Sequence, residues 1–342
     1  MLRIGLIGTG GMGQHHISNI QTGIPGATVV AVHDVNAQVA ERVADACGAR
    51  FVPDPLELIG AKDVDAVMIA SWDPTHEAFC VAALEAGKYV FCEKPLSDTP
   101  EGCLRIMQAE QKVGKRLLQV GFMRRYDPDY RELRAVIEKG TIGIPLVVHA
   151  QHRNLAPAGG AKITSDMSAT NALVHEFDIT RYLIGEEDSY ISAQLVAPRS
   201  SRFCGEDLID PQLVYLETRN GVRVELEIYW YCRYGYDIRC EVVGDLGTAS
   251  LPSPSHTVVR CDGQQAFRIV PTWQERFHEA YQTELREWVD SVKAGKIVGP
   301  SAWDGYMASA VAAACRQARL TGQIVPIQTP DCPVFYQHTA PK

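Results

Sequence analysis

At 342 residues the chain is long for one compact core, and its length favours two domains. Apolar residues make up 46% and charged residues 22%, ordinary proportions for a globular protein. A net charge of −8 offers no basic face to a polyanion, so no nucleic-acid partner is expected. Ten cysteines are scattered among apolar residues, as at Cys47, Cys80, Cys92 and Cys315. No CxxC occurs and no Cys/His cluster has metal-ligand spacing, so reduced core thiols and no metal are expected. The chain opens directly on a strand-like run, and no apolar stretch reaches membrane-spanning length. A soluble cytoplasmic protein that avoids membranes is the expectation.

Strands and helices alternate through the first third. Leu2 to Ile7 is a short apolar run ending at glycines, as a buried parallel strand does. A helix is predicted from Met12 to about Thr22, then a strand over Thr28 to His33, closing one βαβ unit. Asn36 is placed to cap a helix whose Val39, Val43 and Ala46 share a face. Asp54-Pro55-Leu56-Glu57 reads as a helix start, with an Asp cap, Pro in the first turn and Glu three residues after the cap. Strands follow at Ala66 to Ala70, Tyr89 to Cys92 and Leu117 to Val120, with helices at His76 to Ala86 and from Thr99-Pro100 to about Val113. Such alternation implies an α/β fold with a doubly wound, mostly parallel Rossmann sheet.

After Gly121 the texture changes. Strands at Val147 to His152, Tyr190 to Val196, Leu213 to Glu217, Val222 to Tyr229 and Ile238 to Val243 come largely without intervening helices. Asn220-Gly221 between two of them is a hairpin signal. An open, mainly antiparallel sheet is predicted, with helices at Tyr130 to Glu138, about Ala172 to Ile184, Gln274 to Lys293 and Trp303 to Thr321. The Gly-, Ala- and Ser-rich stretch 155–169 reads as a loop near the site. The predicted domains are 1–121, which binds a dinucleotide, and 122–330, which binds substrate and oligomerises, with a tail at 331–342.

Gly8-Thr9-Gly10-Gly11-Met12-Gly13 fits G-x-G-x-x-G, a weak signal alone but here set between a strand and a helix at the start of a βαβ unit. Gly8 permits the tight turn, Gly10 lets a pyrophosphate reach the backbone, and Gly13 lets helix and strand pack closely. Gly11 and Met12 complete the predicted phosphate loop. Asp34 closes the second strand about 20 residues beyond, where a ribose-binding acid is expected. Its carboxylate repels a 2′-phosphate and no Lys or Arg follows among Val35, Asn36 and Ala37, so NAD is favoured over NADP.

Glu93-Lys94-Pro95 follows a buried strand at the carboxyl edge of the sheet, where ligands of open α/β sheets bind. A lysine there can donate to a substrate oxygen and stabilise charge developing on it, although an isolated one is more often a surface residue. GTGGMG, the strand ending in Asp34, SWDPTHE (71–77), AGKYVFCEKP (86–95) and GFMRRYDPDY (121–130) occur in order, followed by HEFD (175–178) and YGYD (234–237). Together these resemble the Gfo/Idh/MocA oxidoreductase family, particularly its inositol 2-dehydrogenase branch, over nearly the whole chain. The resemblance implies a Rossmann domain followed by an α/β domain, and oxidation of a ring hydroxyl with NAD(P), commonly in tetramers. A homo-oligomer, dimer or tetramer, is expected.

His175 lies in a predicted helix whose apolar surface is largely Val174, Phe177 and Leu183. His175 and Asp178 are three apart and share a face, with Asn171 one turn earlier. A hydroxyl being oxidised must lose a proton, and histidine titrates near neutral pH. A lone histidine here would more readily be structural; the motif around it reverses those odds. The resemblance then implies that His175 takes the proton, Lys94 polarises the same oxygen and Asp178 holds a neighbouring hydroxyl. It also implies substrate-side positions for Met123, Arg124, His152, Tyr234 and Tyr281, and nicotinamide-side positions for Trp72, His76 and Glu93. Asp73 reads equally as a helix cap beside Pro74. His15 and His16 receive no role, and His256 and Trp288 are taken as structural. The family pattern carries Asp where this chain has Asn171, which predicts a weaker base, a shifted pH optimum or an unusual substrate. Two rival readings remain: a same-fold enzyme acting on an aldose, amino-cyclitol or keto-sugar, and a non-catalytic cofactor-binding sensor.

Overall fold

The computed structural model describes residues 1–155, 162–185, 189–252 and 258–337. The chain forms two units. One comprises Met1–Met123, Tyr281–Ser309 and the described part of Pro330–Lys342; the other comprises Arg124–Ala280 and Ala310–Thr329. Residues 281–309 therefore belong with the first unit, whereas their place in the sequence puts them in the predicted second domain, 122–330. Nothing in a local pattern tells a late helix which sheet it will return to.

In the first unit, β1 (Leu2–Ile7), β2 (Ala27–His33), β3 (Arg50–Phe51), β4 (Ala66–Ile69), β5 (Tyr89–Glu93) and β6 (Leu118–Gly121) form one sheet in the order β3-β2-β1-β4-β5-β6. All its pairings are parallel. Between the strands run α1 (Gly11–Gly23), α2 (Ala37–Cys47), α3 (Pro55–Gly60), α4 (His76–Glu85) and α5 (Pro100–Val113). Strand β3, only two residues long, went unpredicted because Arg50-Phe51 is too short to show a period. The helix starts follow the sequence closely. Asn36 accepts from Val39 N at 3.2 Å, Asp54 from Leu56 N at 2.8 Å and Thr99 from Gly102 N at 3.1 Å. Each such cap is worth about 1 kcal/mol. The core joins Ile4, Leu6, Val32, Met68 and Phe91 of the sheet to Leu285, Trp288, Val289 and Val292. Trp288 meets Phe91 edge-on at 5.4 Å, so its structural assignment stands; His256 lies outside the described residues.

In the second unit, α6 (Pro128–Glu138) is capped by Asp127, which accepts from Tyr130 N at 3.2 Å. The strands are β7 (Pro145–Arg153), β8 (Tyr190–Val196), β9 (Gln212–Thr218), β10 (Arg223–Tyr229), β11 (Asp237–Gly244), β12 (Thr248–Ser250) and a late β15 (Val325–Pro326). They form one sheet in the order β12-β11-β7-β10-β9-β8-β15, with a separate ribbon of β13 (Val258–Cys261) and β14 (Gln264–Phe267). All pairs but β7–β10 are antiparallel. Asn220-Gly221 does turn the β9–β10 hairpin, with Gly221 at φ +85°. Strands β9 and β10 bury their even-numbered residues and leave the odd-numbered ones half or fully exposed, so the sheet has one covered face and one open face.

Two helical expectations change. The sequence of 155–169 predicts a loop; residues 156–161 lie outside the described residues, but Ser165–Met167 makes a helical turn, α7, and Ser168–Ala172 a π-helical turn leading into α8 (Val174–Ile184). The predicted helix Gln274 to Lys293 is two, α9 (Trp273–Arg276) and α10 (His278–Lys293), parted at the buried Phe277. The last helix is α11 (Ala302–Thr321), and no described helix is long and apolar enough to cross a membrane.

Candidate active site

The glycine turn of the first unit shows two kinds of glycine. Gly8 has φ +97°, and a Cβ on it would strike the backbone of Ala70 and Ser71; a Cβ on Gly13 would strike the Gly8 carbonyl oxygen. These two are required by the fold itself. A Cβ on Gly10 or Gly11 would meet nothing within 4 Å, so their bareness serves no packing purpose. Gly10 is the N-cap of α1 and supplies no capping side chain, leaving the first-turn N–H groups for an anion. Met12 is half-buried in the same first turn. The residues present thus fit a dinucleotide pyrophosphate. Asp34 Oδ2 accepts from Thr9 N at 2.7 Å and Thr9 Oγ1 at 3.1 Å, and Oδ1 accepts from Asn36 N at 2.9 Å, which fixes the carboxylate beside the turn.

The other first-unit positions separate into outer and inner residues. Trp72 is 76% exposed and Lys94 is half-buried at the end of β5. Glu93 and His76, both expected beside the nicotinamide, are instead turned into the interior. Glu93 Oε1 lies 2.6 Å from His16 Nε2, and Oε2 accepts from Lys94 N at 3.2 Å. Burial pushes the Glu93 carboxyl up, but the His16 hydrogen bond and the nearby positive charges of His16 and Lys94 outweigh it, leaving its pKa lowered. His76 Nδ1 lies 2.7 Å from the Pro95 carbonyl oxygen and Nε2 3.1 Å from that of Ser71. Tyr281, expected on the substrate side, is buried in α10 with its ring edge-on to His15 at 5.0 Å and to His16 at 6.1 Å. Met123 is buried in the 3-10 turn Met123–Tyr126.

In the second unit His175 stands in the first turn of α8, buried, directly after the π turn that carries the half-buried Asn171. A π turn advances more residues per revolution than an α-helix, so Asn171 is not the α-helical neighbour that its spacing suggested; such turns often mark functional sites. Asp178 is met by Arg125 in bidentate fashion, Nε to Oδ2 at 2.8 Å and Nη2 to Oδ1 at 2.6 Å. These two bonds fix the plane and direction of the Asp178 carboxylate. Arg124, read as a substrate contact, is 1% exposed; it donates to Glu176 Oε1 and lies over the Phe277 ring at 5.5 Å. His152 joins them, with Nδ1 3.0 Å from Glu176 Oε2 and 3.3 Å from Arg124 Nη2. Burial drives the Glu176 carboxyl up, but the charges of Arg124 and His152 more than reverse this and hold it at about 2. Arg124 therefore builds the interior beneath α8 and has no surface left for a ligand. Tyr234 is 46% exposed, and its hydroxyl donates to Asp237 Oδ2 at 2.9 Å while accepting from Arg153 Nη1 at 3.0 Å.

Sequence reasoning missed Glu176, Arg125 and His16 as parts of this machinery. Glu176 and Arg125 each sit beside a residue that was singled out, but their partners are some fifty residues away in the chain. His16 follows Gly13 by one helical turn, and only the folded sheet brings it to Glu93.

A six-strand parallel sheet whose first crossover holds a bare glycine turn, followed by a second unit with a mixed sheet, defines a two-domain α/β protein with a dinucleotide-binding Rossmann fold. The chain belongs to the Gfo/Idh/MocA oxidoreductase family: the family's NAD-binding Rossmann fold matches residues 2–122 and its C-terminal alpha/beta domain residues 134–328. It is 48% identical over 337 residues to an inositol 2-dehydrogenase of Azotobacter vinelandii, covering 98% of both chains. An inositol 2-dehydrogenase of Burkholderia cenocepacia is 47% identical, with 98% of this chain and 99% of that one covered. The solved myo-inositol dehydrogenase of Lactobacillus casei, in complex with NAD(H) and myo-inositol, matches with a TM-score of 0.94 at 38% identity, over 98% of this chain and all of that one.

Proposed function

We propose that this protein is an NAD-dependent cyclitol dehydrogenase that oxidises a ring secondary alcohol of an inositol. The observation that carries the proposal is the 48% identity, over 98% of both chains, to an inositol 2-dehydrogenase. The dinucleotide supplies the hydride acceptor. The open N–H groups at Gly10, Gly11 and Met12 hold its pyrophosphate, and Asp34 holds the ribose and disfavours a 2′-phosphate. Lys94 donates to the reacting oxygen and His175 takes the hydroxyl proton as the carbon–hydrogen bond breaks. Asp178, aimed by Arg125, accepts from a neighbouring hydroxyl, and His152 and Trp72 serve substrate and nicotinamide contacts. The open face of the second unit's sheet, with Tyr215 39% exposed on it, is covered by a second copy in a dimer or tetramer. All ten cysteines are free thiols, which fits a reducing cytoplasm.

A panel of inositols, aldoses, amino-cyclitols and keto-sugars, followed at the reduced-cofactor absorbance with NAD and with NADP, tests this. Turnover of an inositol with NAD, lost in Lys94→Ala and His175→Ala, is the expected result. Asn171 in place of the family's Asp favours one alternative, a same-fold enzyme for another sugar or amino-cyclitol; turnover confined to those compounds would establish it. Tight NADH binding with no turnover of any compound would establish a sensor instead.

A further inference from the structure

The Glu93-Lys94-Pro95 turn is held from both sides by buried histidines that the proposed chemistry does not use. On one side stands His16, in the second turn of α1 and wholly buried. Its Nε2 meets Glu93 Oε1 at 2.6 Å, and the other oxygen of that carboxylate accepts the backbone N–H of Lys94 at 3.2 Å. Neither group has room to drift. The His16 ring packs edge-on against Phe91 at 5.4 Å, and a Cβ on Gly121 would already press on the Glu93 carboxyl carbon at 3.2 Å. On the other side His76, the first residue of α4, places Nδ1 2.7 Å from the Pro95 carbonyl oxygen and Nε2 3.1 Å from that of Ser71. A rigid planar ring therefore spans from the loop after β4 to the loop after β5.

These contacts bracket the lysine. One reaches its own N–H through Glu93, and the other reaches the carbonyl of the next residue. With the backbone held on both sides, the Lys94 side chain leaves from a fixed origin. A long flexible amine gains most from that, because its own rotamers supply no preorganisation. His16 also belongs to the helix whose first-turn N–H groups are open to the pyrophosphate, so one hydrogen-bonded path joins the phosphate loop to the lysine turn.

We infer that His16 and His76 are positioning residues for Lys94, His16 acting through Glu93 and His76 through the Pro95 carbonyl. The inference rests on Lys94 acting as proposed above. Its test compares amides of matched and mismatched reach in the full-length protein. Glutamine carries its amide nitrogen where histidine carries Nε2, and asparagine where it carries Nδ1. His16→Gln and His76→Asn should therefore keep kcat for myo-inositol within about threefold. His16→Asn, His76→Gln and the two phenylalanine variants should lower it on the order of tenfold or more, given the sensitivity of rate to small misplacements. NADH affinity, read by its fluorescence, should change by less than about threefold in all of them, because the phosphate loop is intact.

Repeating the series in a Lys94→Ala background supplies the second readout. There the mismatched variants should cost less than about twofold more, since the group being placed is gone. Equal losses in both backgrounds, or matched amides no better than mismatched ones, would overturn the inference. If the phenylalanine variants do not fold, the four amide variants carry the same comparison. A Lys94→Ala enzyme as active as the wild type would overturn the role of Lys94 itself. An impaired Lys94→Ala enzyme alongside unimpaired histidine variants would overturn only the positioning.

Discussion

The two units solve the placement of polar side chains in opposite ways. In the first, candidate residues sit on turns between regular elements, and the backbone is set by residues with restricted or special freedom: Gly8 at φ +97°, Gly13 against a carbonyl, Pro95 after Lys94. In the second, they sit on a helix entered through a π turn, and buried ion pairs aim them: Arg125 on Asp178, Arg124 and His152 on Glu176. In the first unit, chain stiffness sets the glycine turn and the His16 and His76 contacts add to it at the lysine turn; in the second, buried ion pairs dominate. Substitutions at the outward residues of the first unit should therefore spare folding, while those at the inner pairs of the second should not.

The largest contrast is between Lys94 and Arg124. Lys94→Ala should lower kcat about 10²–10³-fold, the cost of removing one donor to developing charge, with an unfolding midpoint within experimental error of the wild type. Arg124→Ala takes the guanidinium from the fully buried Glu176 carboxylate, leaving it to His152, and should cost about 3–5 kcal/mol of stability, read by urea denaturation. A stable Arg124→Ala protein with lost activity would reverse the comparison, returning that arginine to the substrate.

Acid should expose the same asymmetry. The Glu176 carboxyl is held at about 2 in the folded chain against an ordinary 4.5. A group depressed on folding contributes stability that is fully present above the unfolded value and is lost as pH falls through the folded one. Stability should therefore decline between pH 4.5 and about 2, followed by the urea midpoint. Glu176→Gln should start from a lower value at neutral pH and show a flatter decline across that window. Equal slopes for the two proteins would place the acid sensitivity elsewhere.

Asp34 tests the first unit at a smaller scale. Its carboxylate touches the glycine turn through Thr9, and the proposed ribose contact would set it against the charge of a 2′-phosphate. Asp34→Ala should shift the NAD-to-NADP ratio of kcat/KM toward NADP by about tenfold, the equivalent of about 1.4 kcal/mol. It should also weaken NAD, since the Thr9 N–H loses its acceptor. An unchanged ratio would leave Asp34 as a buttress of the turn and nothing more.

What was legible in the chain follows the same division. The order of strands and helices in the first unit, its capped helix starts and its glycine turn are local patterns, and the structure shows them to within a residue or two at Ala27–His33 and Pro100–Val113. The open, mainly antiparallel sheet was also legible, down to the Asn220-Gly221 hairpin. The pairing of β7 with β10 in parallel was not, because those strands meet across some seventy residues. The same limit hid the inward turn of Glu93, His76 and Arg124. A motif says which residue types stand where in the chain; it does not say that an exposed-looking charge has a buried partner waiting on another element.

Asn171 offers the finest test, since it bears on how the second unit would tune the base proposed at His175. The resemblance to the family sets an aspartate at this position, and the structure sets Asn171 in the π turn directly before the helix that carries His175. An amide can orient an imidazole but adds no charge. A carboxylate there would favour the imidazolium and raise the histidine's pKa. Oxidation needs the neutral ring to accept a proton, so the acid limb of the kcat/KM profile should move to higher pH in Asn171→Asp. Above the limb, the stronger base should raise kcat a few-fold. The profile is taken on the same inositol with NAD for both proteins, so substrate preference does not enter. If limb and plateau both stay where they were, Asn171 does not tune His175, and the asparagine answers to the shape of the substrate instead.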